Sequence, residues 1–218
     1  MIAKEVKLIE YSKGVEIANC LTHAFGAVLS VAALILLVTS AEGAREIVSA
    51  VLFGIPMLTV YTVSAVYHGL KNGETKRIAR LLDHSAIPLL IAGTTTPYAL
   101  IVLYNISVPH GIAVLSAAWF CGIFGLISKV FFFEKLKKIT YAVYIICCAA
   151  MFLSVIPVID EVKKGAFGLI GAGNAVYLIS AVFCYLGVRR EKFHVVFHIF
   201  TLIASAIHFY VIYFMVIR

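Results

Sequence analysis

The sequence predicts an all-α integral membrane protein built as a seven-helix bundle, and two properties of the chain support this fold class. Of its 218 residues, 62% are hydrophobic and 13% are charged, and the mean hydropathy is +1.03. A soluble globular domain carries about 25% charged residues, so the composition excludes that class. Apolar segments of about 20 residues, long enough to cross ~30 Å of hydrocarbon as a helix, also recur along the chain.

Seven such segments are predicted, and the connections between them are short enough to make residues 1–218 a single domain. The predicted spans are 16–39, 46–68, 82–104, 110–132, 138–158, 166–187 and 193–216. A charged N-terminal stretch without a small-residue cleavage motif precedes the first span, which is therefore interpreted as retained and not as a signal peptide. Glycines at 165, 168, 171 and 173 line the sixth span and predict close helix packing. Three prolines lie inside spans and should kink them: Pro56, Pro88 and Pro97.

The lysines and arginines predict the orientation. With seven spans, fourteen of the 18 basic residues fall on one side of the membrane: Lys4, Lys7, Lys13, Lys71, Lys76, Arg77, Arg80, Lys129, Lys135, Lys137, Lys138, Arg189, Arg190 and Lys192. The other side has Arg45, Lys163, Lys164 and Arg218. Because positive charge is retained in the cytoplasm, the N-terminus is predicted to be cytoplasmic and the C-terminus outside.

Charge and cysteine content exclude other classes of function. The net charge of +7 comes from basic residues in short segments beside the membrane, where topology and anionic headgroups explain it, so no nucleic-acid partner is expected. The five cysteines lie within predicted spans and show no CxxC pair. Neither a disulfide framework nor a thiolate zinc site is therefore indicated.

Histidines are the most informative polar residues, because six of the seven lie on or beside predicted spans. His194 and His198 are four residues apart and share one face of the seventh span. This spacing allows two imidazoles to share a tetrahedral zinc ion. Such a pair near a membrane interface is equally compatible with hydrogen bonds to headgroups or loop carbonyls. His110 falls on the opposite side of the membrane.

Two further spans bring polar residues to the same membrane depth. His68 ends the second span, and Ser64 lies one turn deeper on the same face. A third imidazole would complete a three-histidine site with one position left for water, as in catalytic zinc sites. Asp83 begins the third span, where a carboxylate is costly unless it is paired. It could accept a hydrogen bond from a zinc-bound water or from a ligand imidazole.

The first span contributes a fourth polar face, with Glu16, Asn19 and His23 at positions i, i+3 and i+7. Helix capping or snorkelling would explain Glu16, but it does not explain His23, which lies about two turns in. His208 is ten residues beyond His198 and is interpreted as a hydrogen-bonding core histidine and not as a ligand. Since the orientation was derived from Lys and Arg alone, this convergence predicts a metal site at the cytoplasmic ends of the helices.

The polar motifs, taken in chain order, resemble those of the progestin and adipoQ receptor family. Its bacterial branch is the haemolysin III family, and its wider superfamily includes the alkaline ceramidases. The matching motifs are Glu16-x-x-Asn19-x-x-x-His23, Ser64-x-x-x-His68, Asp83 and His194-x-x-x-His198. The stretch from Leu82 to Pro97 is also similar to this branch, and the chain length and seven spans fit it end to end.

The resemblance implies a role for each of these residues. One Zn²⁺ per chain would be held by His68, His194 and His198. Asp83 would hold the zinc-bound water or act as general base, and Ser64 would be a nearby polar member of the catalytic site. Supporting or helix-to-helix hydrogen-bonding roles would fall to Glu16, Asn19 and His23. A multi-pass protein of the bacterial plasma (inner) membrane is implied as well.

Three functions are consistent with these features. The first is a zinc-dependent membrane hydrolase that cleaves a lipid amide or ester, for which the resemblance to ceramidases favours an amide. The second is a non-catalytic zinc-binding protein acting in membrane stress or fluidity, and the third is a cytolysin. An exchangeable water on zinc would favour the first, whereas a fourth protein ligand would favour the second. A transporter is disfavoured, because the charged residues form no path across the bilayer. Membrane lipids are the expected partners, and the substrate and oligomeric state stay open.

Overall fold

The structure, a computed structural model, describes residues 6–133, 135–156 and 165–217. Over these ranges the chain is helical and contains no strand. We number the helices in chain order, with α3 and α7 each continued by a π-helical segment. The bounds are α1 Lys13–Ser40, α2 Ala44–Gly69, α3 Glu74–Pro97 with its continuation to Ile106, α4 Val108–Phe132, α5 Lys137–Val155, α6 Ala166–Gly187 and α7 Lys192–Val211 with its continuation Ile212–Ile217.

The helices confirm an all-α membrane bundle. Among the described residues, six helices are long and apolar enough to span a membrane, and α5 has a shorter apolar stretch, Ile139–Val155. Residues 157–158 of the predicted fifth span lie outside the described residues, as do four residues used for the orientation: Lys4, Lys163, Lys164 and Arg218. The orientation itself stays a prediction.

Neighbouring helices pack against one another around a ring. Each of α1 to α4 contacts the next helix, α6 contacts α7 closely, and α7 returns to α1. The third helix is the most deeply buried of the candidate spans. Core side chains between the helices include Leu37, Phe53 and Ile170. Large apolar side chains such as Val28 and Phe120 are 68% and 73% exposed on the outside, and an apolar exterior of this kind is expected where lipid replaces water.

The third helix begins earlier than predicted. It also changes from an α-helix to a wider π-helix directly after a proline. It starts at Glu74, so Lys76 and Arg80 lie on a helix and not in a loop, and both are buried. Pro97 immediately precedes the π-helical segment Tyr98–Leu103. Proline has no N–H to donate to the preceding turn, and a local change of hydrogen-bond register accommodates this loss.

Small residues allow the closest approaches between helices. A Cβ atom on Gly93 would lie 2.4 Å from the Leu52 carbonyl oxygen, and one on Gly173 would lie 2.6 Å from Nε2 of His208. Glycine therefore permits the packing of α3 on α2 and of α6 on α7. Gly168, also in α6, has no atom of a described residue within 4 Å of its Cβ position.

One end of the bundle carries most of the polar side chains, and we call it the histidine end. It is the end at which α1, α3 and α7 begin and α2 finishes. The backbone N–H of Ser12, just before α1, donates to Oε2 of Glu191, just before α7, at 2.6 Å. Nζ of Lys76 in α3 donates to the carbonyl of Leu70, just after α2. These contacts bring the four helix ends together.

Candidate metal centre

Three histidines from two helices converge at the histidine end. His68 lies in the last turn of α2, and His194 and His198 lie one turn apart near the start of α7. One ring nitrogen from each lies within 4.8 Å of the other two. All three side chains are buried, and His198 is 0% exposed. His194 and His198 therefore lie on the same face of α7, and the rings of both are close to His68 at the end of α2.

The buried ring nitrogens of this cluster are not satisfied by protein groups. Nε2 of His68, Nε2 of His198 and Nδ1 of His194 have no hydrogen-bond partner among the described residues. Leaving a buried polar atom without a partner costs about 1–3 kcal/mol. A divalent cation that binds imidazole would satisfy such atoms, and imidazole suits zinc, copper, iron and nickel. The donor set therefore fits a metal ion.

A carboxylate from α1 fixes the orientation of the first histidine. Nδ1–H of His68 donates to Oε2 of Glu16 at 2.6 Å, which leaves the Nε2 lone pair directed away from the carboxylate. The other oxygen of Glu16 accepts a hydrogen bond from Nζ of Lys76, also at 2.6 Å. A carboxylate behind a metal-binding imidazole sets its tautomer and raises its basicity. Glu16 therefore contacts both His68 and Lys76, and its role in supporting a metal ligand stays a prediction.

The remaining first-helix residues surround His198. The ring of His23 stacks on the ring of His198 with centroids 3.6 Å apart. The hydroxyl of Thr22 lies 3.4 Å from Nδ1 of His198 and itself donates to the Ala18 carbonyl. Asn19 is fully buried, and neither of its amide atoms has a hydrogen-bond partner in the described part of the chain. Both His23 and Asn19 thus lie against the cluster without completing it.

Asp83 and Ser64 form a polar pair beside the histidines. The Asp83 carboxylate lies near the Ser64 hydroxyl and near His68. It is not one of the groups whose ligand atoms converge within 4.8 Å. Over the described ranges the cluster contains three histidines and no fourth His, Cys, Asp or Glu. The described groups would therefore provide three ligands to a metal ion, and Asp83 lies nearby.

Comparisons with known proteins identify the family. The model of the haemolysin-III related family matches residues 11–209, which include every residue of the cluster. The chain belongs to the haemolysin III family. It is 34% identical to "Hemolysin-3" of Bacillus cereus over 220 residues, covering 100% of this chain and 98% of that protein. It is 32% identical to the "Hemolysin-3 homolog" of Bacillus subtilis (strain 168) over 206 residues, covering 93% and 95%.

This match confirms the resemblance inferred from the ordered motifs. Together with the helices long and apolar enough to cross a membrane, it confirms that the chain is a multi-pass bacterial membrane protein. The two relatives are matched over nearly their whole length.

The segment before α1 covers the histidine end of this haemolysin III protein. The Tyr11 ring stacks on the His194 ring with centroids 4.9 Å apart, and burial raises the pKa of the Tyr11 phenol. Val6 is buried against Leu81 and Phe133. Hydrogen bonds from Ser12 hold the pKa of the exposed Glu191 carboxyl below its usual range. The sequence contained no motif that predicted this cover.

His208 belongs to a separate polar network deeper in the bundle. It lies ten residues beyond His198, or about 15 Å farther along α7 at 1.5 Å per residue. Its Nδ1 lies 3.1 Å from the Tyr98 hydroxyl, and its ring stacks on Tyr177. The Ser205 hydroxyl lies near those of Tyr177 (2.7 Å) and Tyr61 (2.5 Å). His208 is thus placed as a hydrogen-bonding core residue, away from the three-histidine cluster.

Lys76 and Arg80 are buried cations near the cluster. In the sequence they were interpreted only as evidence for the orientation of the chain in the membrane. Lys76 is 2% exposed and Arg80 is 5% exposed. With Asp83 they stand at i, i+4 and i+7, a spacing that predicts one helical face. This signal was available in the sequence. It was missed because the third span was predicted to begin at residue 82.

Proposed function

We propose that this haemolysin III protein is a zinc-dependent membrane hydrolase that cleaves the amide or ester bond of a lipid at the histidine end. The observation that carries the proposal is the convergence of three buried imidazoles within 4.8 Å, with ring nitrogens that have no described partner. Three protein ligands and one open position are typical of catalytic zinc sites, whereas structural sites have four protein ligands.

The residues around the cluster have the chemistry that hydrolysis needs. Bound zinc would lower the pKa of a water molecule and polarise a substrate carbonyl. Glu16 orients His68 so that its free nitrogen faces the cluster. The Asp83 carboxylate, positioned by Ser64, is the group available to take a proton and return it to the leaving group. The positions of Glu16 and Asp83 beside the histidines support these proposed roles.

The surroundings of the cluster favour a lipid substrate. The histidines lie among apolar helices whose outward faces expose large side chains, such as Leu21 and Phe25 of α1. A substrate dissolved in the bilayer would meet the histidine end directly from the membrane. Similarity of the motifs to those of the alkaline ceramidase superfamily supports an amide, such as an N-acyl lipid, as the first substrate to test.

The experiment uses purified protein in detergent, stripped of metal and reloaded with zinc, with fluorescent N-acyl and O-acyl lipids as substrates. We expect zinc-dependent release of fatty acid by the wild type and by Glu42→Gln, a change at an exposed carboxylate. Asp83→Asn should bind zinc without releasing fatty acid. If zinc-loaded wild type cleaves neither substrate class, the hydrolase proposal fails, and a non-catalytic zinc protein acting in membrane stress or fluidity becomes the better account.

A cytolysin is the second candidate, and the observation that favours it is the name of the Bacillus cereus relative, "Hemolysin-3". Pore-forming proteins are commonly secreted and insert later, whereas this chain is a multi-pass membrane protein. Purified protein should be compared with empty detergent micelles for dye release from lipid vesicles. Release by the protein alone would support a lytic activity, and equal release from both samples would remove it.

A further inference from the structure

Arg80 lies on the face of α3 that is directed toward the metal centre. Lys76, Arg80 and Asp83 follow one another at helical spacing on this face. Arg80 interacts electrostatically with the Asp83 carboxyl, His194 and Tyr11. These groups belong to the third helix, the start of α7 and the segment before α1, and Arg80 itself is 5% exposed.

The guanidinium of Arg80 is incompletely satisfied by the protein. Nη1 is buried and has no hydrogen-bond partner among the described residues. The Phe133 ring lies 5.7 Å from Cζ, an aromatic contact that provides no oxygen acceptor for Nη1. Burying a cation with unsatisfied donors is costly, and proteins ordinarily offset that cost with an anion.

Lys76, one turn earlier, is a buried cation whose hydrogen-bond acceptors come from the protein. Its ammonium donates to Oε1 of Glu16 and to the Leu70 carbonyl. Both ion pairs found within the described residues use Glu16, so neither involves Arg80. Asp83 is close enough to influence Arg80, yet its carboxylate is directed to the Ser64 hydroxyl. No carboxylate among the described residues forms an ion pair with Arg80, so its guanidinium can bind an anion.

We propose that Arg80 is an anion-binding subsite for the phosphate of a lipid headgroup, placed so that the rest of the lipid reaches the three histidines. The planar guanidinium presents paired N–H donors that match two phosphate oxygens. The statement that the bound lipid is also the substrate rests on the proposed hydrolase function. In that case the substrate class is an acidic, phosphate-bearing lipid, and not a neutral one.

Binding is tested without turnover, by thermal unfolding of the purified protein in neutral detergent. The probes are dihexanoyl phosphatidic acid, neutral dihexanoylglycerol and inorganic phosphate. The variants are Arg80→Gln, Arg80→Lys and Arg77→Gln, the last an exposed arginine on the same helix. Phosphatidic acid should raise the Tm of the wild type and of Arg77→Gln in a saturable manner. Arg80→Gln should bind phosphatidic acid about 10- to 100-fold more weakly than wild type, because a charge-assisted hydrogen bond is lost. Arg80→Lys should retain part of the affinity.

Three results would overturn the subsite. They are equal affinity of wild type and Arg80→Gln for phosphatidic acid, an equal Tm shift with dihexanoylglycerol, and an equal shift with inorganic phosphate, which would assign the site to a free anion. The last two comparisons use wild type alone, so they decide the question even if Arg80→Gln does not fold. Zinc content and lipid hydrolysis are measured on the same samples. Arg80-dependent binding without hydrolysis would uphold the subsite while the proposed hydrolase function fails.

Discussion

Nδ1 of His68 lies 2.6 Å from Oε2 of Glu16, and this contact joins the end of α2 to the first turn of α1. The second oxygen of the same carboxylate lies 2.6 Å from Nζ of Lys76 in α3. One side chain therefore connects three helices and orients a histidine of the candidate metal centre. Fold stability and metal affinity should consequently be coupled at Glu16.

Replacing Glu16 with Gln should weaken metal binding. The amide keeps the size of the side chain but removes the charge that raises the basicity of His68. Changes of this kind typically lower metal affinity by about 10- to 100-fold. Zinc affinity is measured by competition with a chromophoric chelator in detergent, with Glu10→Gln, at an exposed position, as control. Unaltered affinity in Glu16→Gln would show that the carboxylate does not act on the metal through His68.

Lys76→Met should destabilise the bundle. The change removes one partner of a buried ion pair, for which losses of about 3–5 kcal/mol are usual. Since Glu16 is 16% exposed and keeps its hydrogen bond to His68, we expect a loss near the lower end, about 3 kcal/mol. Thermal unfolding in detergent measures it against Lys71→Met, at an exposed position. Equal Tm values for the two variants would contradict the prediction.

Gly173→Ala and Gly168→Ala form a matched pair within α6. The new Cβ at 173 would lie 2.6 Å from Nε2 of His208, whereas at 168 no atom in the described part of the chain lies within 4 Å. Forcing an extra carbon into a packed core costs about 1–3 kcal/mol. Gly168→Ala should be neutral or slightly stabilising, because it reduces the freedom of the unfolded chain. A Tm for Gly173→Ala at or above that of Gly168→Ala would show that α6 and α7 adjust freely.

The sequence predicted which residues lie at the same end of the bundle, but it did not predict the rotation of each helix about its own axis. Counting spans and basic residues placed His68, His194 and His198 at one depth, and these three come together in the structure. That Glu16 would meet His68, and that Arg80 would face inward, depends on which side of α1 and α3 packs against neighbours. Several polar residues share each helix, so spacing alone leaves these pairings open.

Asp83→Asn should separate metal binding from chemistry. Asparagine preserves the shape and can still bond to Ser64, but it cannot take up a proton at neutral pH. General acid–base groups contribute about 10²- to 10⁴-fold to rates, so lipid hydrolysis should fall by at least about 10². Zinc content should stay at the wild-type value, as measured on the same preparation. Full hydrolysis by Asp83→Asn would remove the carboxylate from the mechanism.

Metal content is the most direct test of the three-histidine centre. Elemental analysis of the purified protein, after zinc is offered and the excess removed, should find about one zinc per wild-type chain, as expected for one site with three protein ligands. His110→Ala, a histidine in α4 away from the cluster, should retain it, and the double variant His194→Ala/His198→Ala should contain none. Wild type without zinc, or a double variant with as much zinc as wild type, would contradict the account.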